Sequence, residues 1–537
     1  MSDHKNILFI MCDQLRFDYL SCYGHKTLPT PNIDKLAERG VLFQNCYVQS
    51  PSCGPSRMST YTGRYVSSHG STWNFVPLRV GERTMGDYLR QSGIKTAIIG
   101  KTHMIADKEG MELLGIDPGS KRGVEISQCG FEPYERDDGV HPDAVIEGKP
   151  KPRYFSYLNE RGYKADNPWH TYANSTQKTG SDDINSGWYL EHTNDPARVA
   201  DADSETPYLT RRAMEFIAQN MDRPWCLHLS YIKPHWPYVA PAPYNDMYGI
   251  NDLAPVKQHP SELQDAHPIY REFMKHPESQ NFAQDDVREK VIPVYMGLVK
   301  QIDDQMGVLF GFLEDHDLFE NTMIVFCSDH GDYLGDHYLG DKELFHDCSS
   351  KIPLIIYDPR PGASEQYGKT ESALTESIDL LPTFLDFFDI EIPEHIIEGR
   401  SLSSILHGEA LPVWREYAVS EFDYSFKKAL RDNLSLEVKE CKSYMLRSEQ
   451  WKYIFHDKFR PQLYNLITDP DEYFDLGNDE RYKSICDTFA EELFRWLRYR
   501  KTRVTMKDEV IKSWTELEKQ LGIFIGLWSE KEEIKKT

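Results

Sequence analysis

Ile7-Leu8-Phe9-Ile10-Met11-Cys12-Asp13-Gln14 is a short uninterrupted apolar run that ends in two polar residues. A continuous run of this length reads as a strand buried on both faces, as in a parallel sheet. Lys95–Ile99, Trp225–Tyr231, Thr322–Cys327 and Pro353–Tyr357 repeat the pattern. Helical segments lie between them. Thr30-Pro31 opens one that closes at Gly40, and Thr84 opens another that closes at Gly93. A longer one carries Tyr295, Leu298, Ile302, Met306, Leu309 and Leu313 at steps of three or four, the spacing of a core-facing stripe. The alternation predicts an α/β fold, a large mainly parallel sheet sandwiched by helices.

Polar residues follow four of these strands. Asp13 and Gln14 follow the first, Lys101 and His103 the second, His235 the third, and Asp329 and His330 the fourth. Ligands in open α/β sheets bind at the carboxyl ends of strands. One such residue is ordinarily a turn or a helix cap; four sets at one edge predict a site. Asp13, Asp329 and His330 form a mixed oxygen and nitrogen donor set suited to Mn²⁺, Ca²⁺, Mg²⁺ or Zn²⁺, with Mn²⁺ or Ca²⁺ favoured.

The 537 residues exceed what one core usually organises, so a large domain and a smaller one are expected. Apolar residues at 40% and charged residues at 27% exclude a disordered or fibrous chain. The net charge of −24 disfavours nucleic acid and anionic lipid as partners, so an anionic substrate needs a locally basic pocket. The apolar run after Met1–Asn6 is too short for a signal peptide or a membrane span, which predicts a cytoplasmic location. Ten cysteines without C-x-x-C pairs suggest neither a zinc ribbon nor a disulfide framework and agree with a reducing compartment.

Ser50-Pro51-Ser52-Cys53-Gly54-Pro55-Ser56-Arg57 contains the pattern C-x-P-S-R. Taken alone, Cys53 could equally be a small buried hydrophobe. With Gly100-Lys101-Thr102-His103, Lys233-Pro234-His235-Trp236-Pro237, Asp329-His330-Gly331-Asp332 and Gly340-Asp341-Lys342 in this order, nearly the whole chain resembles the sulfatase family of the alkaline phosphatase superfamily. Asp13-Gln14 and Asp329-His330 are similar to the phosphonate monoester hydrolase and choline sulfatase subgroup, whereas Lys101 to His103 is more like ordinary sulfatases.

The resemblance implies oxidation of Cys53 to formylglycine by a formylglycine-generating enzyme. It also implies a metal site of Asp13, Gln14, Asp329, His330 and the modified Cys53. The hydrated aldehyde would attack sulfur or phosphorus in line. Lys101, Lys342 and the metal would stabilise the equatorial oxygens, and His235 with Lys342 would protonate the leaving alcohol. His103 is the candidate base for the second hydroxyl, whose collapse would expel sulfate or phosphonate. Arg57, one helical turn after Cys53, would orient the nucleophile, and Asn74 would reach the substrate oxygens.

The expected organisation is a catalytic domain over 1–410, with an irregular insertion over about 104–203 above the pocket. A C-terminal α+β subdomain over 411–504 is expected next, with strands at Tyr444–Arg447 and Lys452–Phe455 and a helix near Ala490–Tyr499. An apolar tail over 505–537 is expected to pack on the body or on another subunit, making a homo-oligomer. The predicted function is hydrolysis of small anionic esters: sulfate monoesters, phosphonate monoesters or phosphodiesters. Two alternatives stand beside it: a superfamily phosphotransferase or mutase with an ordinary nucleophile, and a non-catalytic anion-binding protein with an unmodified Cys53.

Overall fold

The computed structural model describes residues 5–143, 151–410 and 414–529; the first four residues, the last eight and the expected subdomain start at 411 lie outside them. One sheet contains eight strands: β1 (Asn6–Asp13), β2 (Val41–Phe43), β3 (Lys95–Gly100), β4 (Glu132–Arg136), β5 (Trp225–Pro234), β6 (Thr322–Ser328), β7 (Leu354–Tyr357) and β8 (Lys369–Glu371). Their spatial order is β8-β2-β7-β6-β1-β5-β3-β4. The run from β6 to β4 is parallel throughout, while β7 runs antiparallel to both β6 and β2.

Every residue of β1 is buried, because helices cover both faces of the sheet. Leu8, Ile10 and Cys12 join the core made with α1 (Pro31–Arg39), α4 (Glu205–Ala218) and α5 (Asp285–Asp315). Ile7, Phe9 and Met11 point the other way, into the core made with α2 (Cys53–Thr62), α3 (Met85–Gln91) and α6 (Leu380–Phe387). This two-residue alternation explains the continuous apolar run. Each such buried Leu, Ile or Phe contributes roughly 1.5–3 kcal/mol.

The C-terminal part forms a four-stranded antiparallel sheet in chain order: β9 (Ala418–Asp423), β10 (Lys442–Arg447), β11 (Trp451–His456) and β12 (Gln462–Asn465). The helix α7 (Lys483–Arg498) covers it through Cys486, Phe489 and Leu493. The architecture is therefore α/β with a separate antiparallel C-terminal sheet, as expected.

Three local readings need correction. The Pro353–Tyr357 run is broken, because Pro353 cannot donate to a ladder. Lys351–Ile352 pairs in a small three-stranded sheet with Cys46–Tyr47 and Thr375–Glu376, and β7 begins after the proline. The 104–203 segment is not all insertion, since β4 within it is the edge strand of the large sheet. Its Glu132-Pro133-Tyr134-Glu135-Arg136 sequence is half-exposed and so lacks an apolar signature. Of the two contacts expected of the tail, packing on the body is not found among its described residues. Trp514, Leu521, Ile523, Phe524 and Ile525 are exposed.

Candidate active site at the carboxyl edge of the sheet

Parallel register aligns the strand ends. Cys12 pairs with Tyr231 on one side and Ser328 on the other, so Asp13 and Asp329 emerge level with each other. Gly100 ends β3 at φ 98°, and a Cβ there would lie 1.9 Å from the Ser230 carbonyl oxygen. Only glycine lets β3 approach β5 so closely and turn Lys101 into the site.

Cys53 occupies the first turn of α2, a helix buried along its whole length. Ser52 provides no side-chain cap. The Gly54 N–H is instead donated to Asn74 Oδ1 at 2.8 Å, so Asn74 holds the helix start from outside. Cys53 Sγ lies 3.0 Å from His330 Nε2 and 3.8 Å from Asp13 Oδ1.

Asp13, Cys53, Asp329 and His330 form one buried group whose donor atoms lie within 4.8 Å of one another. His330 sets Nδ1 2.8 Å from the Gly331 carbonyl, which assigns the ring proton to Nδ1 and presents Nε2 to the group. Two carboxylates, an imidazole and the side chain at 53 fit a divalent cation of hard to borderline character. Arg57 lies behind them, fully buried. Its Nε donates to Asp329 Oδ2 at 2.7 Å, and its Nη2 lies 3.3 Å from Asp13 Oδ2. Its Nη1 donates to the Lys101 carbonyl at 2.8 Å and to Ser230 Oγ at 2.7 Å. Arg57 therefore grips the two carboxylates rather than the sulfur.

Lys101 Nζ pairs with Asp13 Oδ2 at 2.5 Å. Lys342 Nζ lies 3.0 Å from His235 Nε2 and 3.0 Å from Gln14 Oε1. Burial would push the Cys53 thiol up, but Lys101, Lys342, His330 and a hydrogen bond from His103 hold it well below the usual thiol range. Burial would also raise the Asp13 carboxyl, yet Lys101 keeps it well below the carboxylate range. Burial and then Lys342 push His235 down. Three cations, Lys101, Lys342 and Arg57, thus gather in this site of an acidic protein, each beside a carboxylate.

Gln14, at φ 65°, donates its backbone N–H to Asp329 Oδ1 at 3.0 Å. Its side-chain Nε2 donates to Asp332 Oδ2 at 2.6 Å and to Asp341 Oδ1 at 3.1 Å. Its amide oxygen accepts from Lys342 Nζ, which leaves a second lone pair on that oxygen. The predicted residues Asp13, Gln14, Cys53, Arg57, Asn74, Lys101, His103, His235, Asp329, His330 and Lys342 all come together at this edge. His103 Nδ1 is buried without a protein partner.

Sequence reading missed the ring around Gln14. Tyr238 donates its hydroxyl to Asp332 Oδ2 at 2.5 Å, and Trp236 donates Nε1 to Asp341 Oδ1 at 3.2 Å. Burial, followed by repulsion from Asp341, pushes the Asp332 carboxyl up to about 6. Asp332 and Asp341 lie inside quoted motifs and were readable as polar neighbours; Tyr238 carried no signal.

A sulfatase family model matches residues 5–118 and 129–390, and a model of the C-terminal part of N-sulphoglucosamine sulphohydrolases matches 335–498. The chain is 29% identical to the multifunctional alkaline phosphatase superfamily protein PehA of Trinickia caryophylli, covering 92% of this chain and 95% of that protein. It is 26% identical to an arylsulfatase of Clostridium perfringens, over 95% of this chain and 98% of the relative. The solved phosphonate monoester hydrolase SpPMH of Silicibacter pomeroyi superposes with a TM-score of 0.81 at 27% identity, covering 93% and 96% of the two chains.

Proposed function

Because this chain belongs to the sulfatase family and is an ester-bond hydrolase, we propose that it cleaves sulfate monoesters or phosphonate monoesters and phosphodiesters at a formylglycine derived from Cys53. The observation that carries the reading is the position of Cys53: it opens a buried helix among two lysines, three histidines and two carboxylates. The likeness to a phosphonate monoester hydrolase at a TM-score of 0.81 supports the phosphorus side, and the arylsulfatase relative supports the sulfur side.

Asp13, Asp329 and His330 would hold one divalent metal, Mn²⁺ or Ca²⁺, together with the modified side chain at 53. The metal, when bound, supplies Lewis-acid stabilisation of the substrate oxygens. Formylglycine, once hydrated, supplies a nucleophilic hydroxyl and a second one that lets the bound anion leave without an attacking water. Arg57 holds both carboxylates in place. Lys101 and Lys342 meet the charge of the transferred group, the electrostatic contribution that is usually largest. His235 holds Nδ1 2.8 Å from the Trp236 carbonyl, so Nε2 faces Lys342, and this pair delivers a proton to the leaving oxygen. His103, with its orphaned Nδ1, takes the proton of the second hydroxyl. Asn74 holds Gly54 and borders the substrate oxygens.

All ten cysteines are free, which supports a reducing compartment and our placement of the protein in the cytoplasm. Among the described residues no helix is long and apolar enough to cross a membrane. A formylglycine-generating enzyme is the implied partner.

The test has two readouts. Mass spectrometry of the Cys53 peptide, from a host competent in the modification, is expected to show an aldehyde; a quantitative thiol overturns the formylglycine reading. kcat/KM for 4-nitrophenyl sulfate and for a phenylphosphonate monoester, with Mn²⁺-loaded enzyme and Cys53→Ala as the blank, then assigns the preferred ester. No turnover above the blank overturns the hydrolase reading for aryl esters.

A further inference from the structure

We infer that Phe426, supplied by the C-terminal subdomain, is the surface on which an aromatic leaving alcohol stacks, and that Lys427 holds it there; this rests on the hydrolase reading above. Phe426 lies in the short connection between β9 and the helix Lys428–Leu434. Its ring stacks on Trp73 with centroids 5.4 Å apart and planes 13° apart. Trp73 is buried and directly precedes Asn74, whose Oδ1 accepts the Gly54 N–H beside the nucleophile. Phe426 itself is 48% exposed, so the ring is open to solvent away from Trp73.

A second anchor reaches the opposite side of the same loop. Lys427 Nζ pairs with Glu343 Oε2 at 2.5 Å. Glu343 directly follows Lys342, the proposed proton-delivery lysine, and donates its backbone N–H to the Pro51 carbonyl two residues before Cys53. Lys427 also sits over the Phe273 ring, 5.6 Å from its centroid. The Phe426-Lys427 pair is thereby tied to Trp73-Asn74 on one side of Cys53 and to Lys342-Glu343 on the other. A half-exposed aromatic ring in this position offers a flat apolar face, and an aryl group is the ligand that such a face recognises beyond simple area burial. An aliphatic leaving group would gain much less.

The phenyl and methyl esters of one acid, compared by kcat/KM, test the contact. Dividing each variant's phenyl-to-methyl ratio by that of the wild type cancels the intrinsic difference between the leaving groups. Phe426→Ala is expected to lower the ratio about three- to tenfold, the worth of one aromatic pair. Phe426→Trp is expected to keep it, and Lys427→Met to lower it by freeing the segment. Phe426→Leu, which keeps volume without a ring, decides the matter if the alanine variant fails to fold. An unchanged ratio in Phe426→Ala or Phe426→Leu overturns the proposal. Wild-type enzyme that hydrolyses neither ester would count against the hydrolase reading instead. Calorimetric binding of the same phenyl and methyl esters to Cys53→Ala then reads the same contact without turnover, and equal affinities overturn the inference.

Discussion

At the scale of single residues, the site is organised by pairs that only make sense together. Arg57 is fully buried between Asp13 and Asp329, and truncating one member of such a buried group ordinarily costs about 3–5 kcal/mol. Its sequence position, four residues after Cys53, suggested a grip on the nucleophile, whereas its fork reaches past the sulfur to the carboxylates. His235 and Lys342 form the second pair, and their contact carries a prediction. His235→Ala should lower kcat/KM for an alkyl ester by about 10²–10⁴, the ordinary worth of general acid catalysis, and should cost far less with a 4-nitrophenyl ester. A nitrophenolate leaves with little need of a proton. Measured over a series of esters, kcat/KM of the variant should therefore depend more steeply on leaving-group acidity than that of the wild type. An equal loss across the series would remove His235 from the proton path.

At the scale of elements, strand β9 carries a buried carboxylate with a pH consequence. Glu421 accepts from the Ser67 backbone N–H at 3.0 Å and from its hydroxyl at 3.2 Å, and burial pushes its carboxyl up to about 7. Its folded value therefore lies above the unfolded one, and the native state binds the extra proton between about pH 4.5 and pH 7. The associated stability is full below the unfolded value and is lost as pH rises through about 7. Between pH 5.5 and pH 8 the loss from this group is on the order of 2 kcal/mol. Denaturant unfolding at the two values should show that Glu421→Gln loses correspondingly less stability than the wild type; identical pH slopes would contradict the shift. The strands themselves divide by legibility. β1, β3, β5 and β6 are buried on both faces and announce themselves as apolar runs. β4 is a half-exposed edge and β7 begins behind a proline, so neither was delimited by composition.

For the whole molecule, the C-terminal sheet packs against the body through a shared core that includes Trp73, Phe273, Phe345 and Phe422. The small subdomain therefore packs against the residues that flank Asn74 and Lys342 in the chain. The tail is the other feature of this scale. Its exposed apolar residues, Ile525 at 84% among them, suit contact with another copy of the chain. A chain ended before Thr505 should run in light scattering at a lower assembly state than the full protein. Retention of the full assembly would exclude the tail as the contact.

Much of this was legible in the amino-acid order. Runs such as Ile7–Met11 identified the central strands, and polar residues after four of them marked the edge at which the site lies, because burial on both faces and strand termination are local properties of a chain. C-x-P-S-R and the lysine and histidine motifs carried the resemblance to the sulfatase family, because each is a contiguous stretch of the chain. Only tertiary structure decided which of these residues hold one another. Gln14 meets Asp332 and Asp341, Arg57 meets Asp329, and Phe426 meets Trp73 across hundreds of residues. Such pairs depend on strand register and on the docking of one subdomain against another, and neither leaves a periodic trace in sequence.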